Sequence, residues 1–203
     1  MAHNKELMAQ ARNALAGRWG LAAVATLLYI VVMAIAEIIP IAGVVIGLLI
    51  GGPFVLGYVL FTLSISRGLE AKSSMIFDGF KNFAISLGTY LLMAIFTILW
   101  CLLLIVPGII AALSYSMAFF ILAENPNIGS LEAITASKKM MMGYKWKYFC
   151  LNWRFFWWGL LCVLTLGIGF LWLMPYMYVS FAKFYEDIKP KAAAEPVVEP
   201  VAA

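Results

Sequence analysis

Six long apolar runs constrain this chain more than anything else in it. They lie at approximately 21–39, 43–65, 84–106, 108–124, 147–165 and 168–186. A helix rises about 1.5 Å per residue, so about 20 residues cross the ~30 Å hydrocarbon layer of a bilayer. Each run is close to that length. Lipid offers unpaired backbone groups no partner, so a spanning segment must be a helix or part of a closed barrel. None of the runs alternates polar with apolar residues, as barrel strands do. The expected fold class is therefore all-α: a polytopic membrane helix bundle, six transmembrane helices as three hairpins. Of the 203 residues, 65% are hydrophobic and only 12% charged, and the mean hydropathy is +0.97. A soluble domain is about half apolar and about a quarter charged, and could not bury this much apolar surface.

Charge gives the orientation. Lys5, Arg12 and Arg18 precede the first run, and Arg67, Lys72 and Lys81 separate the second from the third. Lys138, Lys139, Lys145 and Lys147 cluster before or at the start of the fifth, and Lys183, Lys189 and Lys191 close the sixth. With Arg154 these are all 14 basic residues. The other three connections, Ile38-Ile39-Pro40-Ile41-Ala42, Val106-Pro107-Gly108 and Thr165-Leu166-Gly167, carry none. Positive residues stay on the cytoplasmic side, so both termini are expected inside and three tight turns outside. Ala34-Ile35-Ala36 resembles a signal-peptidase site, but it follows a 20-residue polar lead and precedes five further runs. A retained first span is the expectation.

The hairpins repeat loosely. Basic and aromatic residues precede each outgoing run: Arg18-Trp19-Gly20, Phe80-Lys81-Asn82-Phe83 and Lys145-Trp146-Lys147-Tyr148. Early in each returning run stands a helix-loosening residue with an aromatic: Pro53-Phe54, Ser114-Tyr115 and Pro175-Tyr176. True repetition and shared punctuation both account for this. Residues 130–144 place Leu131, Ile134, Met141 and Tyr144 at helical spacing behind a Ser130 N-cap. That segment and Ile76–Phe80 read as interfacial amphipathic helices on the cytoplasmic side or as connectors packed on the bundle. The integral helical domain is assigned to 1–188, and residues 189–203 read as a disordered cytoplasmic tail, too polar and proline-rich to bury a core.

Candidate functional residues fall into three groups. Arg18, Trp19, Lys81, Trp146, Lys147 and Arg154 are candidate interfacial anchors. Arg154 lies seven residues, or about 10 Å, beyond Lys147 on a helix. A guanidinium there can extend to the cytoplasmic headgroups, a reading favoured over a buried substrate site. Gly43, Gly47 and Gly51 form a small-residue face for close helix packing, within the monomer or between copies. Pro53, Ser114, Tyr115, Pro175 and Tyr176 are candidates for a polar or kinked lining.

Several chemistries lack their residues. Phosphate-loop, H-E-x-x-H and G-x-S-x-G motifs do not occur. His3 is the only histidine, and Cys101, Cys150 and Cys162 sit singly in apolar runs. No catalytic, cofactor-binding or metal residues are assigned, and no cofactor is expected. Nor is a basic face present for nucleic acid.

The run V-P-G-I-I-A-A-L-S-Y-S-M-A-F-F-I-L-A-E-N-P (106–126) is followed by E-A-I-T-A-S-K-K-M-M-M-G-Y-K-W-K-Y-F (132–149). L-T-L-G-I-G-F-L-W-L-M-P-Y (164–176) and F-Y-E-D-I (184–188) come next. With A-R-N-A-L-A-G-R-W-G (11–20) and F-D-G-F (77–80), this ordered string resembles a bacterial integral membrane family, domain of unknown function 975. The resemblance covers nearly the whole chain. It implies a multi-pass protein of the bacterial cytoplasmic membrane, with no established activity and no assigned site. Arg154 departs from the small polar residue of the family's pattern. The functional expectation is a non-enzymatic protein that organises lipids or a partner membrane protein. Its partners would be anionic headgroups on the cytoplasmic side, or further copies of itself. A small transporter or channel is the alternative.

Overall fold

The computed structural model describes residues 2–37 and 42–189. Their elements, in order, are α1 (Asn4–Leu15), α2 (Trp19–Glu37), α3 (Ala42–Ser66), a 3-10 helix (Ser73–Asn82), α4 (Phe83–Leu103), α5 (Ile105–Tyr115), α6 (Ala118–Glu124), α7 (Ser130–Met140), α8 (Lys145–Leu164) and α9 (Phe170–Ile188). No strand occurs among the described residues, so the chain is all-α there. The expected tail from residue 190 and the turn at 38–41 lie outside them.

Among the described residues, three stretches are long and apolar enough to cross a membrane: Val45–Ser66, Ser73–Leu103 and Ile105–Glu124. A fourth is added if α1 and α2, which meet at a 96° bend, count as one broken span. The expected runs at 147–165 and 168–186 coincide with α8 and α9, helices of 20 and 19 residues. These two are less apolar. Lys147, Asn152 and Arg154 interrupt the first, and Lys183, Glu186 and Asp187 gather in the last turns of the second.

Helix α3 is the hub. Phe54, Leu56, Tyr58, Phe61, Leu63 and Ile65 are buried all around its second half. It contacts the 3-10 helix, α4, α9, α2 and α6. Glycines decide how closely two of these neighbours approach. A Cβ on Gly57 would stand 1.8 Å from the Ile76 carbonyl oxygen, and one on Gly79 would stand 1.9 Å from that of Pro53. Only hydrogen fits at either place, so the 3-10 helix lies backbone to backbone against α3. Gly52 brings α3 close to Ser86 of α4 as well, though less tightly, since a Cβ would meet the Ser86 carbonyl oxygen at 2.6 Å. Dispersion contact at such close approaches is the main attraction between helices where lipid already solvates apolar surface.

The fourth apolar run breaks in its middle. Helix α5 ends at Tyr115 and α6 begins at Ala118. The Ser137 hydroxyl of α7 sits at the break, donating to the Ser114 carbonyl (2.8 Å) and accepting from the Met117 N–H (3.1 Å). A side chain inserted into the helical ladder is a recognised cause of such a break. Helix α7 therefore packs on protein, burying Ala133, Ile134 and Ser137, while Leu131 stays exposed. Its first residue, Ser130, does not cap it. The hydroxyl donates instead to the Ile85 carbonyl of α4, at 3.0 Å.

Candidate functional site

Helices α3, α6 and α9 end together in one ion cluster. Arg67 follows α3, Glu124 ends α6, and Tyr185, Glu186 and Lys189 lie at the end of α9. Cations beyond a helix C-terminus oppose its partial negative charge, which suits Arg67 and Lys189 to these places. Arg67 pairs with Glu124 and holds Glu186 through two nitrogens, at 2.8 and 2.6 Å. Glu124 also takes Lys189 at 2.7 Å and the Tyr185 hydroxyl at 2.6 Å. Burial works against the Arg67 charge, but the bonds from Glu124 and Glu186 outweigh it and hold its pKa above the ordinary value. Nearby, the Lys183 ammonium donates to the Ser66 carbonyl.

A second fastening ties the beginning of the chain to the same end. Lys147 of α8 pairs with Asp187 at 2.7 Å, and the Ala2 N–H donates to the other Asp187 oxygen at 3.1 Å. Burial raises the Asp187 pKa, but Lys147 and the Ala2 N–H prevail and keep it below the usual carboxylate value. Asn4 donates to the Lys147 carbonyl at 2.9 Å. Arg18 donates to the carbonyls of Leu69 (2.7 Å) and Gly68 (3.3 Å), binding the start of α2 to the loop after α3.

Behind the ion cluster lies a cavity of about 410 Å³. Val55 and Val59 of α3, Met93 of α4 and Phe119 and Phe120 of α6 make much of its wall. Tyr90, Thr97, Ser116, Tyr148 and Tyr178 contribute the hydroxyl-bearing side chains, and no charged residue lines it. Phe120 links cavity and cluster, since its ring stacks on Tyr185 at 5.5 Å while Tyr185 holds Glu124.

Helix α8 carries a different surface. Trp146, Phe149, Trp153 and Phe156 stack in series, with centroids 5.4, 6.0 and 5.4 Å apart. Spacings of three and four residues put them on one helical stripe. Trp146 is 74% exposed, and Trp153 and Phe156 are about half exposed. On one side of the stripe Arg154 borders a cavity of about 530 Å³, together with Asn4, Gly143, Trp146, Lys147 and Cys150. On the other side an apolar groove of about 560 Å³ runs between α8 and α9, lined by Trp153, Phe156, Gly159, Leu160 and Phe170 among others.

The anchors anticipated from sequence are distributed, not gathered. Arg18 holds the loop after α3, Lys147 is spent on Asp187, and Lys81 pairs with Asp78 at 2.8 Å on the surface. Trp19 stands 6.4 Å from Tyr176, centroid to centroid. Gly47 meets no neighbour and Gly51 meets the Tyr90 ring, whereas the closest backbone approaches in this part of the fold fall on Gly52, Gly57 and Gly79. Among the lining candidates, Ser114 and Tyr115 border a separate cavity of about 170 Å³ with Lys138 and Lys145. Their hydroxyl neighbours are largely self-satisfied, since Ser114 and Ser116 bond back to Ile110 and Leu113. Pro53 and Pro175 lie inside α3 and α9. The Arg67–Glu124–Glu186–Lys189 cluster was not foreseen. Arg67 lies 57 residues from Glu124 and 119 from Glu186 along the chain, and the available signal was that the second, fourth and sixth runs each end at or within two residues of a charged residue.

A helical chain with several stretches able to cross a membrane, fastened by ion pairs at one end and carrying a basic–aromatic helix, defines the class of protein in question. Within that class the chain belongs to the family described as Protein of unknown function (DUF975), whose model matches residues 1–114 and 101–192. No curated protein and no solved structure matches it.

Proposed function

We propose that this is a six-span protein of the bacterial cytoplasmic membrane, with both termini cytoplasmic, which organises anionic lipid or a partner membrane protein and catalyses no reaction. One observation carries the reading: among the described residues, the ion pairs gather at one end of the helices. The ion pairs, α1 and the basic residues cluster there, whereas the turn from Leu102 to Val106 and that from Leu164 to Ile168 are exposed and almost wholly apolar. An exposed apolar surface this large belongs in lipid. A basic belt at one face adds about 1 kcal/mol of attraction to anionic lipid for each cation near the surface. In this topology α8 and α9 are spans too, their charges lying near the cytoplasmic headgroups.

Two measurements test it. In cells, a membrane-impermeant thiol reagent added outside should leave cysteines placed at Lys72 and Lys138 unlabelled, and label them after the membrane is opened. Purified protein should enrich anionic over zwitterionic phospholipid, with Arg18→Gln and Lys81→Gln weakening the preference. Labelling from outside, or no preference for either lipid, would remove the proposal.

The cavity supports a second reading, a small transporter. It is lined by hydroxyls and walled from the charged end by Phe120, Tyr185 and Glu124. Solute flux into proteoliposomes that rises in Glu124→Gln would favour it. No flux of any solute in either form would exclude it.

A further inference from the structure

We infer that α8 builds a site for one anionic glycerophospholipid, with its phosphate on Arg154 and an acyl chain crossing Trp153 into the groove against α9. The inference rests on the lipid-organising reading and gives it a specific occupant.

Charge comes first. Arg154 is half-buried and makes no ion pair or hydrogen bond among the described residues. The other cation of α8 in its cavity, Lys147, is already neutralised by Asp187 at 2.7 Å. Arg154 thus supplies one uncompensated positive charge to a cavity of about 530 Å³. The Arg154 Cα stands about 10 Å along α8 from that of Lys147, but its side chain borders the same cavity as Lys147, Asn4 and Trp146, so in the proposed topology its charge reaches toward headgroup level with no protein anion beside it among the described residues. A phosphodiester carries the one negative charge that compensates it, and its oxygens match the guanidinium fork.

Shape distinguishes a lipid from a free anion. Arg154 and Trp153 are adjacent in sequence and border the two different hollows, so α8 alone separates the polar cavity from the apolar groove. The groove measures about 560 Å³ and runs past Gly159 toward Leu160, Val163 and Phe170. A Cβ at Gly159 would meet nothing within 4 Å, so this residue leaves the groove open rather than permitting a helix contact. The stacked aromatic stripe between the two hollows offers a flat apolar surface of the kind enriched at the membrane interface. A soluble phosphate would use the first hollow and leave the second without an occupant.

The test uses the full-length chain, purified and delipidated in a neutral detergent. Phosphatidylglycerol is titrated in, and bound lipid is counted by native mass spectrometry. One molecule should be retained on the wild type, well ahead of phosphatidylcholine. Arg154→Gln should weaken it about tenfold and Arg154→Lys by less, since lysine keeps the charge but loses the fork. Gly159→Leu should weaken it comparably by filling the groove with the guanidinium intact. It separates a lost site from a lost charge, and its folding is read from an unchanged melting temperature. Equal binding to wild type and Arg154→Gln would overturn the inference. So would full affinity in Gly159→Leu, or displacement of the lipid by equimolar inorganic phosphate. If Arg18→Gln and Lys81→Gln abolish the anionic preference while Arg154→Gln does not, the general belt survives and this site falls. If no cationic variant changes lipid selection, both readings fall together.

Discussion

The two ends of the hairpins hold themselves together by different means. At the charged end, α3, α6 and α9 finish within one cluster of Arg67, Glu124, Glu186 and Lys189, while Asp187 gathers Lys147 and Ala2. At the other end the α4–α5 and α8–α9 turns carry Leu102 (79% exposed), Leu164 (80%) and Leu166 (94%), with almost no side-chain polarity. The first end is specific, since each of these charges has a partner with directional geometry. The second presents a contiguous exposed apolar surface, which suits lipid better than water. The contrast teaches that one bundle can be pinned by directed charge at one end and left bare and apolar at the other.

Glu124 is where the contrast can be broken most strongly. It is 13% exposed and faces two cations and a tyrosine hydroxyl. Removing one member of a buried pair costs about 3–5 kcal/mol, and partial exposure of Arg67 and Lys189 reduces this to about 2–3 kcal/mol. Glu124→Gln should therefore lower the melting temperature in detergent more than any tip substitution. Gly57→Ala comes next, because its methyl would collide with the Ile76 backbone. Overpacking costs about 1–3 kcal/mol, and the upper part of that range is expected where backbone must move. Thermal unfolding of the purified variant checks it.

Acid should loosen the charged end and spare the tips. Asp187 has its pKa depressed in the folded chain, so its contribution is complete above the ordinary aspartate value. It is lost as pH falls through the depressed folded value, beginning near about pH 4. Hydrogen exchange at α1 should rise over that window, and Asp187→Asn should abolish the dependence. The smallest effect is expected at the other end. Leu166→Ala should change stability by less than about 0.5 kcal/mol, because its side chain touches almost nothing. A large loss there would mean that the tips pack on a partner.

The sequence also showed where its reach ends. The all-α class, the candidate spans and the loosening of the fourth run near Ser114-Tyr115 were legible, because hydrophobic run length and residue type act locally. Helix α1 was not anticipated, although Leu7, Ala11 and Leu15 stand at helical spacing and are buried. Its polar composition masked a stripe whose value depends on α9 and α3 being there to receive it.

What the chain by itself determined is therefore its helices and which of them are long and apolar enough to be candidate spans. Apolar length demands lipid, and lipid demands internally satisfied backbone. Membership of the family followed from ordered motifs along the same chain. Only tertiary structure decided which glycines let helices touch, that Ser137 would enter the break in α5–α6, and that Arg67 would find Glu124. Those outcomes rest on distances between residues far apart in sequence, and a linear pattern does not encode distance. Arg154 belongs to both accounts: its place on α8 follows from counting residues, but its lack of an ion-pair or hydrogen-bond partner among the described residues is visible only when the helices around it are in place.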